Sequence, residues 1–481
     1  MIVRTSLAAT SLAAKSSALL MPRVQTPQST RNSQPAAASS VVTLGNGTSL
    51  SAVYSLNAKK SVNTAGLISS QLSTLLDTNV RAASADAFQG IGKALLTRLT
   101  DNPQDVTLAS VSGAQASDGT RAQDRAVALS ITTQSGVNVN IGMTRNANGL
   151  VVELKTTGGE LSEEETAAIA ALGDAFQSAL DGLAQKAPAL NVSGLTAFDS
   201  TLLKSVDLQT DVREEATSIQ SLSYRADSTQ RALSYKTSDV SFAITTDLSH
   251  PETIGSYGQQ QAALASWTSQ LNSARSRGQG DRDLVELFKQ SFLAVNSQYG
   301  SNEADTSHNI ITRTNDNATQ QQLSGLADYS ATFTQTEKST NPYRKDERDA
   351  FSYSTAQTTE RQNSRSLTQK ITTQLQASYH EALDKTIPLN LTSDPLSQNY
   401  LYHQINDETT RETQLAYNDK GEIKSVRTSA DTHDSEIVKK YNAARLVDET
   451  HTPYDNHTSK LTMMIIDSIS MDPDSGQARV R

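Results

Sequence analysis

Apolar residues occupy every second position in three successive runs: Val127, Leu129 and Ile131; Val137, Val139, Ile141 and Met143; Leu150, Val152 and Leu154. Turn residues separate the runs, first Gln134-Ser135-Gly136 and then Asn146-Ala147-Asn148-Gly149. This alternation predicts three short antiparallel strands with one apolar face. The period then changes. Ser162 and Glu165 stand three apart, the spacing of a capping box, and Ile169, Leu172, Phe176, Leu180 and Leu183 follow on one helical stripe that Pro188 ends. A helix with such a stripe can roof the apolar face of the meander.

The same two periods recur along the chain. Leu67, Ile68, Leu72, Leu75, Leu76 and Val80 form one helical stripe, and Phe88, Ile91, Leu95, Leu96 and Leu99 form another. Residues 103–125, rich in Gly, Ser, Asp and Gln, read as a linker. A second meander is expected at Ile219–Tyr224, Leu233–Tyr235 and Val240–Ile244. Helices are expected around Leu264, Trp267 and Leu271 and from Leu284 to Tyr299. Tyr329, Ala331 and Phe333 alternate, as do Phe351 and Tyr353. Between them the mixed-sign run Tyr343–Asp349 reads as a solvated hairpin end. Leu367, Ile371, Leu375, Tyr379 and Leu383 fit a helix or a long strand equally well. Asn418-Asp419-Lys420-Gly421 reads as a hairpin turn, and Ile437, Val438, Tyr441 and Leu446 as a short helix.

Composition sharpens this picture at the first end. Residues 1–76 carry six basic side chains (Arg4, Lys15, Arg23, Arg31, Lys59 and Lys60) and no Asp or Glu. An acid-poor, Ser-rich start of this kind resembles a mitochondrial transit peptide and equally the uncleaved leader of bacterial proteins exported through flagellar or injectisome channels; the plainest reading is a disordered tail. Over the whole chain the net charge is −9, which disfavours a nucleic-acid-binding surface because phosphate contacts need clustered Lys and Arg. No stretch has the uninterrupted apolar length of a membrane-spanning helix. The absence of cysteine excludes disulfides, thiol catalysis and thiolate metal sites.

Candidate chemistry is sparse. His451 and His457, with Glu449 and Asp455 nearby, have zinc-ligand side chains, but their spacing matches no helix face and Pro453 makes the stretch a turn. Asp472-Pro473-Asp474-Ser475-Gly476 begins like a calcium loop without its closing Glu. Gly90-Ile91-Gly92-Lys93 lacks the strand, the glycine spacing and the hydroxyl of a phosphate loop. Glu163-Glu164-Glu165 is accounted for by the helix dipole, and Trp267 by the core. Catalytic residues are therefore unknown, and no cofactor and no metal is expected.

Leu129-Ser130-Ile131-Thr132-Thr133-Gln134, the acidic Ala-rich stretch Gly159–Ile169 and Leu195-Thr196-Ala197-Phe198 together resemble a group of uncharacterised bacterial proteins in which polar antiparallel strands precede an acidic helix. The likeness covers residues 126–211. It implies a bacterial origin and transfers no site residue.

The expectation is an α+β protein of antiparallel β-meanders with helices packed on one face. Its expected parts are a disordered basic segment at 1–64, a helical hairpin with meander and helix at 65–212, a second meander with helices at 213–300, a polar β-rich region with helices at 301–470, and a disordered tail at 471–481. The expected role is a non-enzymatic bacterial interaction or structural protein, cytoplasmic or exported without a cleaved signal peptide, and associated with the cell surface or an appendage if exported. It is expected to bind protein or glycan through strand edges and Ser, Thr, Gln and Tyr side chains. The alternative is a hydrolase or glycan-processing enzyme with its acids scattered through residues 210–450.

Overall fold

The computed structural model describes residues 70–82, 86–101, 105–111, 124–185, 188–214, 217–297, 299, 323–362, 365–418, 423–452 and 457–465. The basic start of the chain, the polar run 301–322, the calcium-like Asp472–Gly476 and the tail lie outside the described residues.

Two helices, α1 (Ser70–Asn79) and α2 (Ile91–Asp101), precede strands β1 (Val106–Val111), β2 (Asp124–Thr133), β3 (Asn138–Asn146) and β4 (Gly149–Thr157). Helices α3 (Glu163–Ala171), α4 (Gly173–Ala184) and α5 (Ser193–Thr196) follow, then β5 (Leu203–Glu214), β6 (Thr217–Asp227), β7 (Gln230–Thr237) and β8 (Val240–Asp247). Helices α6 (Tyr257–Gly278) and α7 (Arg282–Val295) lead to β9 (Asp328–Lys338), β10 (Asp349–Gln362), β11 (Ser366–Ala382), β12 (Tyr400–Tyr417), β13 (Ile423–Asn442), β14 (Arg445–Thr452) and β15 (His457–Ile465).

Among the described residues the fifteen strands belong to one sheet in the order β1-β4-β3-β2-β5-β6-β7-β8-β9-β10-β11-β12-β13-β14. Strands β14 and β15 share the last position, since β14 pairs with residues 436–442 of β13 and β15 with residues 425–433. Every pairing is antiparallel. The segments expected at 65–212, 213–300 and 301–470 therefore share one continuous sheet, joined where β2 pairs β5 and where β8 pairs β9.

The period-2 pattern decides which face is dry. Leu108, Val152, Met143 and Val127 are cross-strand neighbours on one face, and they are buried with the apolar sides of α1, α2 and α4 in a single core. The same face continues through Leu222, Tyr235, Phe242 and Phe333, where α7 supplies Phe288 and Phe292. The capping box forms as expected: Ser162 Oγ accepts from Glu165 N, and a Glu165 carboxylate oxygen accepts from Ser162 N. The stripe from Ile169 to Leu183 is wholly buried, but it lies on two helices rather than one, with the break at Leu172.

Two expectations are corrected, and one left open between helix and strand is settled. Part of the expected linker at 103–125 is strand β1, because Val106 and Leu108 bury one side of an edge that pairs with β4. The stripe Leu367–Leu383 is strand β11 up to Ala382; residues of equal parity serve one face of a strand as well as a helix stripe. Ile437, Val438 and Tyr441 lie in β13 and Leu446 in β14, and a strand formed there because β12 already offered an unpaired edge along its whole length.

One cross-strand row explains what happens beyond β10. Phe242, Phe333, Tyr353, Leu375, Asp407 and Asp434 are consecutive neighbours across β8 to β13. The row passes from aromatic to aliphatic to acidic. The next row reads Ile244, Ala331, Thr355, Thr373, Thr409 and Thr432. The dry face therefore fades into a polar one past β11, and α6 seats against it only where Gly278 lets the backbone close in. A Cβ at Gly278 would meet Ala377 and Phe351 at 2.8 Å.

Candidate functional site

Strands β10 to β13 run 14 to 20 residues, far beyond the length the helices cover. Their register brings three connections to the same end of the sheet: residues 339–348 between β9 and β10, residues 383–399 between β11 and β12, and the tight turn at Ala443-Ala444 between β13 and β14. Tyr343, Leu383, Ile387, Leu389, Leu396, Leu446 and Val447 all stand exposed there, Leu396 at 72% and Ile387 at 62%. Among the described residues Tyr257 is the one large exposed hydrophobic residue elsewhere. A soluble surface scatters such residues singly, whereas a cluster marks a place that meets something else.

These connections are fixed, not loose. Asn341, fully buried, donates from Nδ2 to Gln398 Oε1 at 2.7 Å and to the Tyr400 hydroxyl at 3.1 Å. Ala444 N donates to Gln398 O, Ala443 N to Asn399 Oδ1, and Arg344 to Ala444 O while its guanidinium lies over the Tyr441 ring. All three connections are thereby tied to one another.

Under them, on the face opposite α6, lies a buried ionic cluster. The Tyr400 hydroxyl donates to Glu347 Oε2 at 2.5 Å. The His380 side chain, 1% exposed, lies between two carboxylates: Nδ1 is 2.7 Å from Asp349 Oδ1, and Nε2 is 3.4 Å from Glu347 Oε2, an ion-pair distance without hydrogen-bond alignment. Tyr400 and Tyr402 hold the imidazole with ring centroids 4.9 and 4.8 Å away. Burial pushes the imidazole pKa down, but the bond to Asp349 and the facing Glu347 carboxylate outweigh it and leave His380 above its ordinary value. Burial alone would raise Glu347; the facing His380 and the hydroxyls of Tyr400 and Tyr441 leave it lowered. Burial, and then Glu347, push the Tyr441 hydroxyl up to about 12.

The turn that closes β13 onto β14 is strained. Ala443 and Ala444 have φ of 46° and 64°, the left-handed region that Asn-Gly fills in two-residue hairpins. Replacing the pair by Asn-Gly is expected to raise stability by about 1–2 kcal/mol, since each alanine costs roughly 1–2 kcal/mol there and part returns as glycine entropy. Urea denaturation of the double variant measures it, and a gain below about 0.3 kcal/mol counts against the strain.

On the opposite face, a groove of about 860 Å³ separates α6 from β10–β13, with Trp267, Tyr353, Thr373, Thr409 and Arg411 among its walls. Arg277, in the last turn of α6, bonds both Asp407 oxygens and Glu436 Oε2. Glu436 Oε1 lies 2.8 Å from His403 Nδ1, and His403 Nε2 lies 3.2 Å from Glu381 while its ring stacks on Tyr379. These carboxylates of residues 210–450 come together, as a hydrolase would need, but each pair is closed by a base: Arg277, His380 or His403. The Glu347–His380–Asp349 cluster has the groups for acid–base chemistry, with the His380 and Glu347 side chains buried and Asp349 partly exposed.

The other sequence candidates have structural roles or stand apart. Gly90 to Lys93 is the start of α2, where Gly92 N donates to Gln177 Oε1 and a Cβ at Gly92 would strike Phe176 and Leu180 at 2.9 Å. His451 bonds Glu449 at the sheet edge, and its described surroundings hold no further ligand; residues 453–456 and the His457 side chain lie outside the described residues. Among the described residues no group of three His, Asp or Glu side chains is arranged to hold a metal, and no helix is long and apolar enough to cross a membrane. Trp267 is core, stacked on Phe292 at 3.7 Å.

The run Tyr343–Asp349 is where sequence reasoning missed most, because Glu347 within it is buried. The signal lay at a distance, in Tyr400 and Tyr402 at one-face spacing opposite His380. Comparison with protein-family models, with curated proteins and with solved structures gave no match.

Proposed function

We propose that this is a non-enzymatic interaction protein that docks a partner protein through the strand-end surface formed by residues 339–348, 383–399 and 443–447. The observation that carries this reading is the exposure of five large apolar side chains on connections that are hydrogen-bonded to one another, with Leu446 and Val447 exposed at the start of β14 beside them. Ordering such side chains in water gains nothing by itself. Pre-ordered, they lose little entropy when a partner covers them, which is the arrangement that favours binding. Their mix of aliphatic residues and one tyrosine suits an apolar protein face rather than a sugar, which would need more aromatic platforms. The cysteine-free composition fits a bacterial protein working in an exported or surface-associated setting.

The reading is tested by placing a photo-reactive phenylalanine analogue at Leu396 or Ile387 in the bacterium that makes the protein. One discrete protein adduct is expected. It should be absent when the same group is placed at Ser135, in the turn between β2 and β3, and abolished by adding Leu389→Asp and Leu446→Asp. Equal adduct patterns at Leu396 and Ser135, or none at Leu396, reject the docking surface.

A further inference from the structure

We propose that His380 is a pH-sensitive latch: its buried imidazolium holds the β9–β10 connection over the outer face of β11–β13, and loss of its proton frees that connection, with Tyr343, from the docking surface. This rests on reading the strand ends as that surface.

Asn341, Arg344 and the Arg348 backbone also hold the connection, and His380 adds the one positive charge that faces both carboxylates. The connection 339–348 crosses the outer face and sends Glu347 into it, where Tyr400 donates one hydrogen bond and His380 Nε2 supplies the facing positive charge at 3.4 Å. His380 is also tied at its other nitrogen to Asp349, the first residue of β10, while Thr340 donates to the second Asp349 oxygen. A single imidazolium thus faces two carboxylates, Glu347 within the connection and Asp349 at its end. With the imidazole neutral, a buried Glu347 keeps only hydroxyl donors, and an underpaired buried carboxylate regains water most cheaply by carrying its loop outward.

The charged and titratable groups around His380 come from every element packed there. They are Arg344 and Glu347 from the connection, Asp349 from β10, Tyr400 and Tyr402 from β12, and Tyr441 with Lys439 from β13, Lys439 being the cross-strand partner of Tyr402. Burial lifts all three tyrosines above their ordinary value, and Glu347 is held below its own. The sign follows from the raised imidazole. Its contribution is complete below the unfolded value of about 6.5 and is lost as pH rises through the higher folded value. The latch is therefore closed in mild acid and opens towards alkaline pH.

Because the chain has no cysteine, Lys345→Cys carries a single spin label on the connection and Ser135→Cys a control label. In the full-length protein the ratio of mobile to immobile label at position 345 is expected to climb about tenfold per pH unit around a midpoint above 6.5, while the label at 135 stays unchanged between about pH 6 and 9. With His380→Gln the label at 345 should lose its dependence on pH. Should that variant fold poorly, Asp349→Asn, which removes one of the two carboxylates, should move the midpoint downward. A profile at 345 that is flat, or that keeps its midpoint in Asp349→Asn, overturns the latch. The photo-adduct at Leu396 reads the docking surface separately: a flat label with the adduct present removes only the latch, and a titrating label with no adduct at any pH removes the docking reading.

Discussion

Phe288→Ala is expected to cost about 3–5 kcal/mol. Phe288 is wholly buried at the meeting of two helices and three strands. Its ring lies 5.5 Å from Phe242 on β8, 5.3 Å from Phe333 on β9, 6.5 Å from Tyr353 on β10 and 5.9 Å from Trp267 on α6. Truncation empties a space that no neighbour can fill, because each is held by its own strand or helix. The lost transfer energy and the cavity therefore add. Urea denaturation followed by the fluorescence of Trp267, the sole tryptophan, measures both stability and the local change. Leu396→Ala, on the surface, should fall within about 0.5 kcal/mol of the wild type. A Phe288→Ala loss below about 1.5 kcal/mol would mean that the aromatic cluster is loosely packed.

Glu347→Ala is expected to cost about 3–5 kcal/mol near pH 6, because it strips the buried imidazolium of one carboxylate and leaves the Tyr400 hydroxyl without its acceptor. Two titrations shape that loss. The lowered Glu347 contributes above its ordinary value of 4.5 and fades as pH falls through its folded value; the raised His380 contributes below 6.5 and fades as pH rises. The gap between wild type and variant is therefore widest from about pH 4.5 to 6.5 and narrows on both sides. Urea midpoints at three pH values check this. A gap that is constant, or widest under alkaline conditions, would show that the cluster does not work as an ionic unit. Glu347→Gln, which keeps an acceptor for Tyr400, should recover part of the loss.

The meanders at Val127–Leu154 and Ile219–Ile244 are legible in the sequence, since each strand there buries one side and period 2 stays clean, whereas β1 and β5 are not. Val127 to Leu154 and the capping box at Ser162 fall where the pattern puts them. Beyond residue 365 the pattern thins for a physical reason. Strands β11 to β13 carry Thr, Asp, Glu and Arg on both faces over much of their length, so alternation has no apolar partner to alternate with. Register there comes from the neighbouring strand, not from a hydrophobic code, and Ile437 and Val438 are misread as helix. The site was hidden for a related reason. Exposed leucines look like core residues in a sequence, and a buried Glu347 looks like one more surface charge; only their neighbours tell them apart.

From β6 to β14 every strand hydrogen-bonds to the one that precedes it in the chain. That arrangement makes this part of the molecule nearly linear in its energetics, each strand resting on its predecessor and serving as the template for its successor, as the units of a solenoid do. Such a chain can assemble in the direction of synthesis, with closure of short loops replacing long searches. Hairpins could be inserted or deleted at its far end without disturbing the aromatic centre, so reach, and not stability, is the property that the long last strands are free to vary.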